Sequence, residues 1–314
     1  MSRTNRAGKE TAHVLLLVAA ALIWGFAFVS QSIGASFVGA CTFQAFRSWI
    51  AVAALLPVLA AAERIRLRKG MPSALPKGRE QTKRFLAGGL LCGVALFLAS
   101  TTQQYGIGMT TTAKAGFITA MYVVLVPVIS LFLGSVPSGR IWFCVALGVL
   151  GLYFLCIRPG SAGGFGRGDL ILLLCAFLFS AQILLVNHYV QFIDGIWLCW
   201  MQMLATAVLA TAAMLLFEHP TAPALRAALP SLLYAGVMSS GVAYTFQMIG
   251  EEGLDPTVAS LAMCLESVFS ALGGWLILGQ TLNGRETAGC ILMFAAIVLS
   301  QLRLPAVTRR ERRA

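Results

Sequence analysis

Three ionisable side chains, one acidic and two basic, stand inside long apolar stretches of the sequence, where a charge is costly to bury. Glu266 lies ten residues beyond Pro256. A helix rising 1.5 Å per residue would place it about 15 Å deep, near the centre of a ~30 Å hydrocarbon core. A carboxyl group at that depth could carry a proton or bind an ammonium group. The alternative is a protonated or hydrogen-bonded structural carboxyl that holds helices together.

The two basic residues of this kind have different predicted roles. Arg47 lies about one and a half turns into its stretch. It is better explained as a structural charge that reaches outward or bonds to facing carbonyl groups. Lys114 lies one residue inside another stretch. It either anchors a helix at the membrane interface or attracts a carboxylate or phosphate at the outer mouth of a cavity.

Amide, hydroxyl and aromatic side chains interrupt the same apolar stretches. Such groups can line a path for a solute, and they can equally join helices through hydrogen bonds worth about 0.6–2 kcal/mol each. Pro127 loosens its local helix and, with Gly25, is predicted to serve as a hinge during gating. Together with Glu266 and Lys114, the predicted cavity residues are Trp24, Gln103, Gln104, Phe117, Tyr122, Gln182, Tyr244 and Gln247.

The elements that must position these residues are ten apolar segments, each long enough to cross a bilayer. Hydrophobic residues make up 58% of the 314 residues and charged residues 11%, against about 25% charged in a soluble domain. The sequence therefore predicts an all-α integral membrane protein with ten transmembrane helices. The predicted spans are 12–33, 40–61, 85–104, 113–133, 140–157, 169–188, 195–217, 229–250, 257–278 and 286–303.

The last five spans resemble the first five. At an offset of 145 residues, Gly108 falls on Gly253, Thr112 on Thr257 and Gly139-Arg140 on Gly284-Arg285. Because five is odd, the second copy must enter the membrane from the opposite side, which gives an inverted repeat. We predict repeat units at residues 1–160 and 161–314, the first with a basic cytoplasmic loop at 62–84 and the second with a basic C-terminal tail.

The net charge of +11 is distributed by topology and does not indicate nucleic-acid binding. With the N-terminus inside, 17 Lys and Arg residues fall on the inner side and 5 on the outer side. The positive-inside rule then places both termini in the cytoplasm. The basic loop at 64–84 is predicted to contact anionic lipid, and a specific acidic partner is the alternative.

Enzyme chemistry finds little support in the sequence. The eight cysteines stand singly and the three histidines lie at span ends, so neither a disulfide framework nor a metal site is predicted. The sequence has no G-x-x-x-x-G-K-[ST] motif for nucleotide phosphates and no H-E-x-x-H motif. We therefore expect no cofactor and no catalytic residues.

Several short motifs, in order and in register with the repeat, resemble those of the drug/metabolite transporter superfamily, specifically its ten-helix EamA-type exporters. They are Trp24-Gly25 with Phe28, Phe43 with Arg47, Gln103-Gln104-Tyr105-Gly106, Lys114-Ala115-Gly116-Phe117, Tyr122 to Pro127, and Leu265-Glu266 with Phe269. Ser267 departs from the pattern, since the family has proline there. The resemblance implies export of small metabolites, often amino acids, by alternating access in the inner membrane of a bacterium.

The sequence thus predicts a secondary transporter of a small molecule, with amino acids, and aromatic ones among them, as the first choice. A passive channel or flippase, and a transporter of nucleobases, sugars or organocations, are the alternatives, followed by a non-transporting scaffold. A monomer and a homodimer both remain open, as does coupling to protons.

Overall fold

The computed structural model describes residues 3–130, 139–156, 166–251 and 256–301, and within these ranges the chain is helical and forms no strand. Twelve α-helices and one π-helical segment follow one another along the chain. They are α1 (Arg3–Ala35), α2 (Ala40–Arg68), α3 (Arg79–Ile107), α4 (Thr112–Ala120), α5 (Tyr122–Ser130), α6 (Gly139–Cys156), α7 (Arg167–Tyr189), α8 (Gly195–Phe217), α9 (Ala222–Leu233), the π segment (Tyr234–Ala243), α10 (Tyr244–Glu251), α11 (Pro256–Leu278) and α12 (Gly284–Gln301).

These elements make up the ten predicted spans, but two of the spans are not regular helices. The fourth is interrupted at Met121, which separates α4 from α5. In the eighth, α9 and α10 are joined through ten residues of π-helix. A π-helix bonds each N–H to the carbonyl five residues back and is frequent at functional sites. Both irregular segments lie within the predicted spans 113–133 and 229–250.

Within the described ranges, six helices are apolar enough, by length and composition, to cross a membrane, and α4–α5 and α11 contribute shorter apolar segments. Large apolar side chains on the outside of the bundle are half exposed, among them Leu91, Trp142 and Leu276. Apolar surface of this extent suits contact with lipid, since hydrocarbon needs helices whose backbone groups are satisfied internally.

The basic connection between the second and third spans is mostly helical. α2 continues to Arg68 and α3 begins at Arg79, so the predicted connection at 62–84 is helical except for residues 69–78. Gly70 and Gly78 have positive φ angles of 71° and 90°, a conformation that costs glycine little. The basic side chains therefore extend from two helix ends.

The two halves of the bundle have corresponding helix contacts: when each of the first five spans is replaced by the span five places later, and the reverse, the main contacting pairs stay the same. The first span, α1, packs on the ninth, α11, and the sixth span, α7, packs in the same way on the fourth, α4 and α5. The third span, α3, packs on α7 and α8, and the eighth span packs correspondingly on α1 and α2. The pairs α2–α8, α4–α11 and α6–α12 map onto themselves. A twofold relation between the two halves produces this pattern, which fits an inverted repeat.

The self-paired helices α6 and α12 meet backbone to backbone. A Cβ at Gly151 would lie 2.8 Å from the Met293 nitrogen, and one at Gly289 would lie 2.7 Å from the Leu155 nitrogen. Small residues allow such close approach in membrane helices. These two spans therefore pack on each other within one chain.

Candidate functional site

A small cavity of about 30 Å³ lies inside the bundle and is shared by both halves of the chain. Side chains of α2 and α3 form one side, and side chains of α7, α8, the π segment and α10 form the other. Its lining mixes polar and apolar groups: Gln44, Arg47, Leu96, Ser100, Gln103, Phe179, Met203, Ser240 and Tyr244. A volume of this size accommodates about one water molecule, so binding of a metabolite requires the cavity to widen.

Arg47 is the charged group of this cavity. Its Nε donates to Ser240 Oγ at 3.2 Å, Nη1 to Gln31 Oε1 at 3.1 Å and Nη2 to Ser239 Oγ at 3.3 Å. Arg47 therefore does not reach outward, and one of its three acceptors is the side-chain carbonyl oxygen of Gln31 on the facing helix α1. Its guanidinium points into the bundle and joins α1, α2 and the π segment.

An aromatic pair borders the cavity. The rings of Trp24 and Tyr244 meet edge to face with centroids 5.1 Å apart, and Trp24 Nε1 donates to the Ser239 carbonyl at 2.9 Å. Gly25 allows α1 to approach α11, since a Cβ there would lie 2.9 Å from the Glu266 carbonyl oxygen. The predicted hinge residue is thus placed in a close helix contact.

Glu266 lies on α11 beside this contact and is partly buried. Its carboxyl group has no hydrogen-bond or ion-pair partner among the described residues, and its backbone carbonyl lies against Gly25, the residue that follows Trp24. The structure therefore brings Trp24, Tyr244, Arg47 and Glu266 into one region of the bundle.

The predicted glutamines are dispersed. Gln103 lines the cavity, whereas the neighbouring Gln104 donates from Nε2 to the Gln31 carbonyl at 3.0 Å and joins α3 to α1. Gln182 donates to Gln202 at 3.0 Å between α7 and α8. Gln247 lies on α10 and is partly buried.

The predicted residues of the fourth span lie apart from the cavity lining. Phe117 is packed in an apolar core with Ile118, Met121 and their neighbours. Tyr122 approaches the cavity residue Phe179 with ring centroids 6.4 Å apart. Pro127 lies in the backbone of α5, six residues beyond the break at Met121, and its side chain is outside the described set.

Lys114 borders a second, larger cavity of about 480 Å³ at one end of the bundle, here named the Lys114 end. Its Nζ pairs with Asp169 Oδ2 at 3.2 Å, and both side chains are nearly buried. Asp169 also accepts from Thr110 Oγ1 at 3.1 Å and from the Gly166 amide at 3.2 Å. The Lys114 charge is therefore partnered by an acid of the other half, a contact that sequence reasoning missed.

Two helix starts at the Lys114 end are capped by side chains from the other half of the chain. Glu218, just after α8, accepts from the Cys41 and Thr42 amides at the start of α2. Gln280, just after α11, accepts from the Thr112 amide at the start of α4 at 2.9 Å. At the opposite end, Arg66 pairs with Asp194 at 2.8 Å. Both ends of the bundle are thus joined across the repeat.

Sequence reasoning also missed the partners of Arg47. Gln31, Ser239 and Ser240 are buried, and the adjacent polar pair Ser239-Ser240 within an apolar span is the signal that would have found two of them. Among the described residues no group of three His, Cys, Asp or Glu side chains could hold a metal ion.

A sequence model of the EamA-like transporter family matches residues 11–157 and again residues 166–302. An uncharacterized transporter of Archaeoglobus fulgidus is 29% identical over 289 residues, covering 92% of this chain and 85% of that relative. A crystal structure that is 20% identical superposes with a TM-score of 0.63, covering 92% of this chain and 96% of the other, and so shares the fold.

Proposed function

The chain belongs to the EamA-like transporter family of the drug/metabolite transporter superfamily, and on that premise we propose that it exports amino acids, aromatic ones among them. The family and the transporter relative make it a membrane transporter of small solutes and not an enzyme. Substrate class, direction and alternating access are our proposal.

The observation that carries the proposal is the mid-bundle cavity with its bordering aromatic pair. Both halves line it, so a movement of one half against the other can open it to either side. Its polar groups can bind the charged amino and carboxylate groups of an amino acid, and Phe179, Met203 and Tyr244 can contact an apolar side chain.

Residues 1–160 and 161–314 are proposed as the two repeat units that move against each other. We place the chain in the cytoplasmic membrane of a bacterium, with both termini and the basic connection on the cytoplasmic side, next to anionic lipid. A C-terminal fluorescent-protein fusion should fluoresce and a C-terminal alkaline phosphatase fusion should be inactive; the reverse result overturns this orientation.

Counterflow in proteoliposomes tests the proposed activity. Vesicles are loaded in turn with aromatic, small polar and sulfur-containing amino acids, and uptake of labelled substrate is followed. Saturable uptake driven by internal substrate supports an amino acid carrier. Flux that does not saturate and is not stimulated from the other side indicates a channel. No uptake of any amino acid by folded protein overturns the proposed substrate class.

Proton coupling is tested at Glu266. If this carboxyl carries the proton, Glu266→Gln should flatten the pH dependence of counterflow while substrate binding stays measurable. An unchanged pH profile excludes Glu266 as the coupling group.

A further inference from the structure

The guanidinium of Arg47 has only neutral partners. All three of its hydrogen bonds go to hydroxyl or amide oxygens, those of Gln31, Ser239 and Ser240. Within the described part of the chain no carboxylate lies within ion-pair distance of it. An arginine kept inside a membrane bundle for structure alone is usually paired with an acid or with backbone carbonyls. No carboxylate of the described residues therefore forms an ion pair with Arg47, and its charge can still attract an anion.

One polar side chain on the same cavity wall as Arg47, that of Gln44, is incompletely paired. Gln44 is buried and lines the cavity; its Nε2 donates to Ser48 at 3.1 Å. Its Oε1 is buried and has no donor among the described residues. A purely structural polar network is expected to satisfy its members. The unsatisfied oxygen and the unpaired cation on one cavity wall indicate a place for a polar ligand.

The π segment holds two consecutive serines on the same guanidinium. Side chains of adjacent residues diverge in an α-helix, but a π-helix has more residues per turn, so the angle between neighbours is smaller. Ser239 and Ser240 can then both accept from Arg47. The segment is fixed against α2, where a Cβ at Gly236 would lie 3.0 Å from the Arg47 carbonyl oxygen. It is also fixed against α1 by the Trp24 bond to the Ser239 carbonyl.

A carboxylate is the ligand that fits this arrangement. The two oxygens of a carboxylate can accept two parallel N–H bonds from a guanidinium, and such charge-assisted bonds are roughly twice as strong as bonds to neutral oxygens. A carboxylate entering the cavity would take the place of the two serine hydroxyls. The serines then become free to bond elsewhere on their own helix.

We propose that Arg47 is the receptor for the carboxylate group of the transported molecule, and that Ser239 and Ser240 occupy it until substrate arrives. The proposal rests on the proposed function and adds a specificity-determining residue to it. It differs from the structural role that the sequence favoured for this arginine.

The test compares a substrate with its analogue lacking the carboxylate. Counterflow of labelled L-phenylalanine is measured against competition by L-phenylalaninamide, which keeps the ring and the amine, and by 3-phenylpropionate, which keeps the ring and the carboxylate. If phenylalanine is not carried, the amino acid that passes the counterflow panel and its amide take their place. The wild type should prefer the acid to the amide by roughly 10- to 100-fold.

Three variants separate recognition from structure. Arg47→Gln should reduce the acid-to-amide preference to about one, and Arg47→Lys, which keeps the charge without the planar fork, should retain part of it. Ser239→Ala combined with Ser240→Ala removes the competing acceptors and should increase the preference. If Arg47 had only a structural role, each of the three variants would instead reduce the uptake of the acid and of the amide by the same factor, and the preference would not change.

The outcomes distinguish this proposal from the function on which it rests. Uptake of amino acids without preference for the carboxylate, or an unchanged preference in Arg47→Lys and in the double serine variant, overturns the role of Arg47 alone. If Arg47→Gln does not fold, those two variants still decide. No uptake of any amino acid by wild type overturns the proposed substrate class and this inference together.

Discussion

Glu218 caps a helix that has no cap of its own, and removing its carboxylate should destabilise the protein measurably. The residue before α2 is Gly39, which offers no side-chain hydrogen bond. Glu218 of the other half instead accepts from the Cys41 amide at 2.9 Å, the Thr42 amide at 2.8 Å and Thr42 Oγ1 at 2.6 Å. These amides belong to the first turn of α2, where intrahelical partners are lacking.

The expected magnitude follows from these three bonds. Loss of a capping side chain costs about 0.5–2 kcal/mol, and loss of a negative charge at a helix start costs about 0.3–1 kcal/mol more. Glu218→Ala should therefore lower the free energy of unfolding by about 1–3 kcal/mol. Glu218→Gln keeps an acceptor oxygen and should lose roughly the smaller, charge-dependent part. Thermal unfolding in detergent measures both, at about 2 °C or more per kcal/mol.

A second perturbation reaches the same contact from the opposite side. Gly39 has φ −65° and ψ 165°, which alanine adopts without strain, but a Cβ there would overlap the Glu218 carboxylate. Gly39→Ala should therefore destabilise the wild type and have little further effect in the Glu218→Ala background. The double-mutant cycle should give a coupling of about 1 kcal/mol or more. Additive effects of the two substitutions would refute the capping argument.

Three further predictions concern ion pairs and helix packing. The Lys114–Asp169 pair is nearly buried, so Asp169→Asn and Lys114→Met should each lower the free energy of unfolding by about 3 kcal/mol. The double variant should lose less stability than the worse single variant in thermal unfolding, because no unpaired charge remains buried. A double variant that loses as much as the worse single variant, or more, would contradict this. Arg66→Ala breaks a pair with side chains 34% and 22% exposed, so it should cost no more than about 1 kcal/mol in the same assay. Gly289→Ala should destabilise α12 against α6, while the matched Gly284→Ala, with nothing within 4 Å of its Cβ, should leave the melting temperature within about 2 °C of wild type.

Much of the fold could be predicted from the sequence because a bilayer permits few solutions. Apolar segments of about 20 residues must be helices, since hydrocarbon offers no partner for backbone groups. The sequence therefore predicted the ten spans and the repeat of five spans. It also lacked the motifs typical of enzymes. The membrane transporter family was likewise indicated by short motifs, and the match over 11–157 and 166–302 confirms it.

Which polar residues meet was decided by the tertiary structure. In a soluble helix the alternation of polar and apolar residues indicates the buried face. A membrane helix is apolar toward lipid and toward its neighbours, so its rotation leaves little trace in the sequence. For that reason Phe117 was expected in the cavity and is packed in a core, while Arg47 was expected to be structural and lines the cavity. The partners of Arg47 come from α1 and from a π segment almost 200 residues away, and only the packing of the two halves brings them to one guanidinium.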